Sequence, residues 1–222
     1  PTEAADRYVA AEQTELVLMD DFDHLPQLEQ ERCLALGAYL MLSTSRSAEE
    51  AAALEAEARE RLQSAYEAGV RDAAVESALA RLSWRRDPVK TLAFAQAALE
   101  HSTISPEARI TAWFTLATTL MDAGKTAQAR PILQQLTRAR RYSEDWYLLS
   151  RCEAADRHWD AAIQAARRAA EISPQYPQLQ DHLAQLAIAA GQPELAEKHR
   201  AAAEDLQRLL LRTDNLSPSS AD

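Results

Sequence analysis

The chain has 222 residues, 47% of them hydrophobic, 6% aromatic and 26% charged, with a formal net charge of −10. This length and apolar content allow one or two compact domains, or one extended array with a sizeable core. Only four glycines, abundant alanine and few aromatic or β-branched runs favour helix over sheet, and the acidic sign argues against unspecific nucleic-acid binding.

The charge is unevenly placed. Residues 1–31 hold nine acids and a single base, Arg7. An acid-rich end of this kind is either a solvated face or a docking surface for a basic partner. The pattern predicts one helix over 2–19, then the acidic turn "DDFDHLP", together an N-terminal segment of 1–29. The carboxylates beside His24 lack the ordered spacing of a calcium loop, so they read as a helix end and an acidic turn. Next, "CLALGAYL" at 33–40 reads as the first helix of a degenerate hairpin over 30–71. Its partner starts at a capping box of Ser47 and Glu50 and runs to 68.

Residues 75–100 give helix, turn and helix, the second opening at Asp87-Pro88. "SPE" at 105–107 supplies an N-cap, a proline at the first helical position and an acid behind it. Thr126 is the expected N-cap of the following helix, and Pro131 predicts a kink or a late start there. The stretch 146–174 repeats the helix-turn-helix pattern, Pro174 and Pro177 bracket the next break, and "QPE" at 192–194 opens the last helix. That helix, 193–211, places Leu195, Ala202, Leu206 and Leu209 inward and reads as a closing cap. Gly69, Gly124 and Gly191 stand at helix ends that want positive φ. Residues 212–222 are polar and read as a disordered tail. About eleven helices result, five hairpins plus a leading helix. Their loops are short enough to make sequential helices antiparallel. The body of the protein is then an array over 72–211.

Within that array the sequence repeats itself. Trp113 and Trp146 are 33 residues apart. Each is followed by a leucine (Leu116, Leu149) and a small residue (Ala117, Ser150). Gly124 and Arg157 fall at the turn, and Ala129 and Ala162 start the inward stripe of the second helix. A third copy lies 34 residues on, with Leu183-Ala184, Gly191 and Ala196. These residues resemble the tetratricopeptide repeat, which reads W-x2-L-G-x2-Y, then A-x3-F, A and P. Trp146, Leu149, Ala162, Ala169 and Pro174 fit it. Leu120 and Glu153 replace its tyrosine, and Gln180 stands in the third copy for the tryptophan. The likeness is strong over 110–203 and weaker over 30–105. It implies an all-α fold, a right-handed α-solenoid of antiparallel helix pairs in which each hairpin covers its neighbour's apolar flank.

The resemblance further implies that the first helices of successive units line a concave face. Register places Glu76, Ser77 and Ala80 there from the second unit and Phe114, Thr115, Thr118 and Met121 from the third. Tyr147, Leu148 and Arg151 follow from the fourth, and Asp181, His182 and Gln185 from the fifth. Phe114, Tyr147 and Arg151 are side chains of the kind that anchor partners. Arg151 can fork onto a carboxylate or a carbonyl. Thr118, Asp181, His182 and Gln185 complete the candidate set. Co-chaperones of this family grip an acidic peptide with lysines and asparagines on this face. Here the single asparagine is Asn215 in the tail, and Arg151 is the sole base among those positions, which argues against that role.

No Gly-rich phosphate loop, H-E-x-x-H or G-x-S-x-G occurs, and the five histidines fall in different units. No catalysis, cofactor or metal is expected. Cys33 and Cys152 form no C-x-x-C and read as small apolar helix residues, with a disulfide left open. No apolar run approaches the roughly 18–20 residues of a membrane span. The chain starts at Pro1, which reads as processed or excised, so a cytoplasmic or periplasmic compartment stays undecided. The basic run "RARR" at 138–141 reads as solvated helix ends or as a surface for an acidic partner. The expected function is a non-catalytic scaffold that binds a peptide or protein segment. The alternatives are a structural homo-oligomer joined through acidic N-terminal and basic central surfaces, or an accessory domain of a larger enzyme or envelope complex.

Overall fold

The computed structural model describes residues 25–214. Among them are ten α-helices: α1 (Gln27–Met41), α2 (Ala48–Glu67), α3 (Ala73–Ser83), α4 (Pro88–Glu100), α5 (Pro106–Asp122), α6 (Thr126–Ala139), α7 (Ser143–Ala155), α8 (Trp159–Ile172), α9 (Pro177–Ala189) and α10 (Pro193–Asp214). One turn of 3-10 helix, Leu42–Thr44, leads from α1 toward α2. The helices pair as five hairpins, and each hairpin packs on the next. The helix expected over 2–19 and the "DDFDH" turn lie outside the described residues. The expected tail begins instead as a continuation of α10, which runs to Asp214.

Local chemistry explains where the helices start. Ser105 Oγ accepts from the Ala108 N–H at 3.2 Å, and Asp87 Oδ1 from Lys90 at 3.0 Å. Each satisfies one of the orphan donors of a helix N-terminus. Ser47 Oγ accepts from Glu50 at 3.1 Å, but the Glu50 carboxylate returns to the Arg46 N–H at 2.7 Å, one residue before the cap. Thr126 is not a cap. It is the first helical residue of α6, and its hydroxyl donates to Asp156 of the next hairpin at 3.0 Å. Pro131 delays nothing: α6 runs through it, with the ring exposed to water.

Four of the turns share one geometry. The N–H groups of Val70, Lys125, His158 and Gln192 reach back five residues to the carbonyls of Ala65, Leu120, Glu153 and Ala187 at 2.8–3.0 Å. The residue before each donor is left-handed: Gly69, Gly124, Arg157 and Gly191, with φ of 108°, 71°, 60° and 72°. This is the closed helix end that glycine favours. Arg157 adopts it with a Cβ in place.

Small buried residues set how closely the helices approach. Ala117, Ala129, Ser150, Ala162, Ala184 and Ala196 are all 3% exposed or less. Around them the core forms two clusters. The larger runs from Ala35 in α1 to Ala165 in α8 and includes the buried Leu62, Leu79, Leu133 and Leu136. The smaller joins α8 and α9 through Ile163, Leu179 and Leu183. Trp146 packs against both and so bridges the seam.

Polar contacts tie consecutive hairpins together. Arg130 of α6 lies 3.2 Å from Glu153 of α7 and also pairs with Asp156. Cys152 donates its S–H to the Thr126 carbonyl at 3.3 Å. Burial pushes that thiol up to about 11, beyond what Arg130 offsets, so it is an inert core group. Cys33 and Cys152 are both free.

Candidate functional site

Helix α3 packs directly on both α1 and α5 as well as on its own partner α4. That contact closes over several positions which register alone places on an open face. Glu76, Ser77, Ala80, Thr115 and Thr118 are buried, each at 5% exposure or less. The Thr118 hydroxyl donates within its own helix, 2.8 Å from the Phe114 carbonyl, and is not at the surface. Glu76 holds His101, the residue just after α4, at 2.9 Å. Phe114 is also buried, edge-on to Trp84 at 5.6 Å.

Beside that pair opens a cleft of about 220 Å³, lined by Tyr39 of α1, Arg81 and Trp84 of the second hairpin, Thr111 and Phe114 of α5, Arg140 and Tyr142 from the α6–α7 turn, and Glu144 in the first turn of α7. Arg81 and Arg85 stand over the Trp84 ring at 4.8 and 4.3 Å, where a cation meets the negative face of the indole. The Trp84 N–H is buried without an acceptor among the described residues. Arg140 forks onto Asp145, Nε to Oδ2 at 2.7 Å and Nη2 to Oδ1 at 2.8 Å, and Asp145 is fully buried. Burial opposes the Arg140 charge, but the hydrogen bonds and charge of Asp145 outweigh it and hold the pKa above the usual arginine value. Of the "RARR" run, this arginine is therefore a structural joint. Burial raises the Tyr39 hydroxyl, and nearby Arg81 pulls the other way.

A second cleft, of about 290 Å³, adjoins the first at Glu144, which lines both. Its walls are Tyr147 of α7 with Tyr176 and Leu179 at the start of α9. Behind it, Tyr147 meets His182 edge-on at 4.8 Å, and Arg151 stands 5.9 Å from the Tyr147 ring. Ser150 Oγ and His182 Nε2 share a hydrogen bond of 2.9 Å. Burial, and then the charge of Arg151, lower the His182 pKa to about 4, so the ring is neutral near pH 7. Asp181 is half-buried and Gln185 exposed on the same helix.

The structure thus gathers Tyr147, Arg151 and His182 at one place and sets Phe114 against Trp84 at another. Register reasoning missed Trp84, Arg81, Tyr142 and Tyr176. A signal for the last two existed. Tyr142 and Tyr176 are exposed at 58% and 52%, and they stand 34 residues apart, one repeat. Each occupies the residue just before a first helix, α7 or α9. Among the described residues, no group of three or more His, Cys, Asp or Glu side chains is placed to hold a metal ion. None of the described helices is long and apolar enough to cross a membrane.

Solved structures share this architecture. The chain is similar to MamA 41-end from Desulfovibrio magneticus RS-1, with a TM-score of 0.66 and 16% identity over 80% of this chain and 95% of that one. It is similar to MamA MSR-1 (TM-score 0.66, 16% identity, 81% of this chain and 97% of that one). MamA AMB-1 gives a TM-score of 0.65 at 18% identity over 79% and 98%. No family model and no curated protein sequence matches the chain. At these identities the likeness establishes the fold, an α-solenoid of stacked antiparallel helix pairs.

Proposed function

We propose that the protein is a non-catalytic interaction scaffold that binds a peptide or protein segment along the face built by its first helices. Stacked hairpins present a long ridged surface without a reaction centre, which suits recognition of an extended chain. The tetratricopeptide reading of 110–203 supports this, because that repeat builds such a face. The observation that carries the proposal is the pair of clefts meeting at Glu144, rimmed by Tyr142, Tyr147 and Tyr176. Half-exposed tyrosines supply large contact area at little entropic cost and are typical anchors. A photoreactive phenylalanine analogue in place of Tyr176 is expected to crosslink a partner from the native source. The same probe at Gln164, which lines a different cleft beside α8, is expected to capture none. Equal capture from both positions would remove the face from consideration.

The charge pattern favours a second reading, self-association. Residues 1–31 are strongly acidic, and arginines concentrate in the middle of the chain. Sedimentation velocity at low and high salt separates the two readings. Assembly through these charges appears at low salt and dissociates as ionic strength rises, whereas a chain that sediments as a monomer at both salts would exclude it.

A further inference from the structure

Resting on the scaffold reading, we infer that the ligand is an extended peptide carrying an acidic side chain for the Trp84 cleft and a bulky apolar side chain for the Tyr147–Tyr176 cleft. Three observations lead there. First, Arg81 and Arg85 are exposed, stacked on Trp84, and have no carboxylate partner among the described residues. By contrast, neighbouring Arg86 is already paired with Glu55, as Arg140 is with Asp145. Each stacked guanidinium keeps planar donors free for a carboxylate. Arg140 has its fork filled and its charge balanced by Asp145, which leaves Arg81 as the unpaired cation among the residues lining that cleft.

Second, the other cleft differs in kind. Tyr147, Tyr176 and Leu179 give it apolar walls, and about 290 Å³ has room for one large side chain. Third, Glu144 stands where the two clefts meet. A ligand carboxylate is repelled at that junction and driven toward Arg81 and Arg85. The negative charge therefore sets which way the peptide lies, as well as what it contains.

The test is to pan a displayed library of random peptides against the full chain and measure the enriched peptides by fluorescence anisotropy. Enriched sequences are expected to pair Asp or Glu with an aromatic or branched aliphatic residue. The combined Arg81→Glu and Arg85→Glu variant is expected to weaken them about tenfold or more, as loss of a charge-assisted contact does. Replacing the peptide's acid with its amide is expected to do the same, and Tyr176→Ser to weaken binding independently. All three positions are exposed, and an unchanged thermal midpoint verifies the fold. Acid-free peptides that ignore the arginine variant yet are lost with Tyr176→Ser would overturn the acidic-ligand inference and leave the binding face standing. No enrichment, or binding indifferent to every one of these variants, would overturn both.

Discussion

Asp145 and Arg140 show how much one buried pair can hold. The carboxylate has no solvent exposure, and both of its oxygens are taken by the guanidinium. It also lies in the first turn of α7, where the helix dipole favours an anion. Asp145→Ala strands the arginine against Phe114 and Tyr142 and is expected to cost about 3–5 kcal/mol, read from urea midpoints. A loss near that of a surface pair would show that water reaches the joint. His182 makes a second prediction. Its folded pKa, about 4, lies below the ordinary histidine value of 6.5, so between these values the unfolded chain takes up a proton that the fold refuses. Stability contributed by the neutral ring is complete above pH 6.5 and is lost as pH falls toward 4. His199 is lowered in the same direction by burial and by Arg167 and Lys198. His182→Gln is therefore expected to flatten part of the acid limb in a series of denaturation curves, and an unchanged limb would place His182 in solvent.

At the level of single helices and turns, recurrence fixes roles that composition leaves open. Three equivalent turns are closed by Gly124, Arg157 and Gly191, all left-handed. A residue with a Cβ pays about 1–2 kcal/mol in that conformation. Glycine gives back part of this through its freedom in the unfolded chain. Arg157→Gly is expected to raise stability by about 0.5–1 kcal/mol, measured by thermal melting. Destabilisation would mean that the Arg157 side chain does something the turn geometry does not reveal. Trp146 acts across elements. It packs against the core around α5–α7 and against the one between α8 and α9, so its loss opens the seam on both sides. Trp146→Ala is expected to cost about 3 kcal/mol or more. A loss under about one would mean that the two clusters hold together without it.

Over the whole molecule, the apolar packing and the tyrosine-rimmed clefts fall on different surfaces of the same hairpins. The flanks of each pair carry the apolar contacts, leaving the first-helix ends and the turns before them free to bear Tyr142, Glu144 and Tyr176. The double substitution Tyr147→Ala with Arg151→Ala is expected to weaken partner binding while leaving helicity and melting nearly intact. Arg151 is exposed and Tyr147 half-buried, and neither belongs to the fully buried core. Affinity that survives the double substitution would move the binding face elsewhere.

Helices, caps and turns are legible in this sequence because they depend on neighbours in the chain. Ser105-Pro106, Asp87-Pro88, Gly124 and Gly191 act within a few residues of themselves. The repeat from Trp113 to Ala196 follows from a period that needs no coordinates. The site was only half legible. Thr118 and Glu76 share the register of a groove, but α1, α3 and α5 close over them. The same closeness brings Arg81 and Trp84 at the end of α3 together with Arg140 after α6 in one cleft. How tightly neighbouring helices pack is set by side-chain volumes meeting across hairpins, and that sum exists only once the stack has formed.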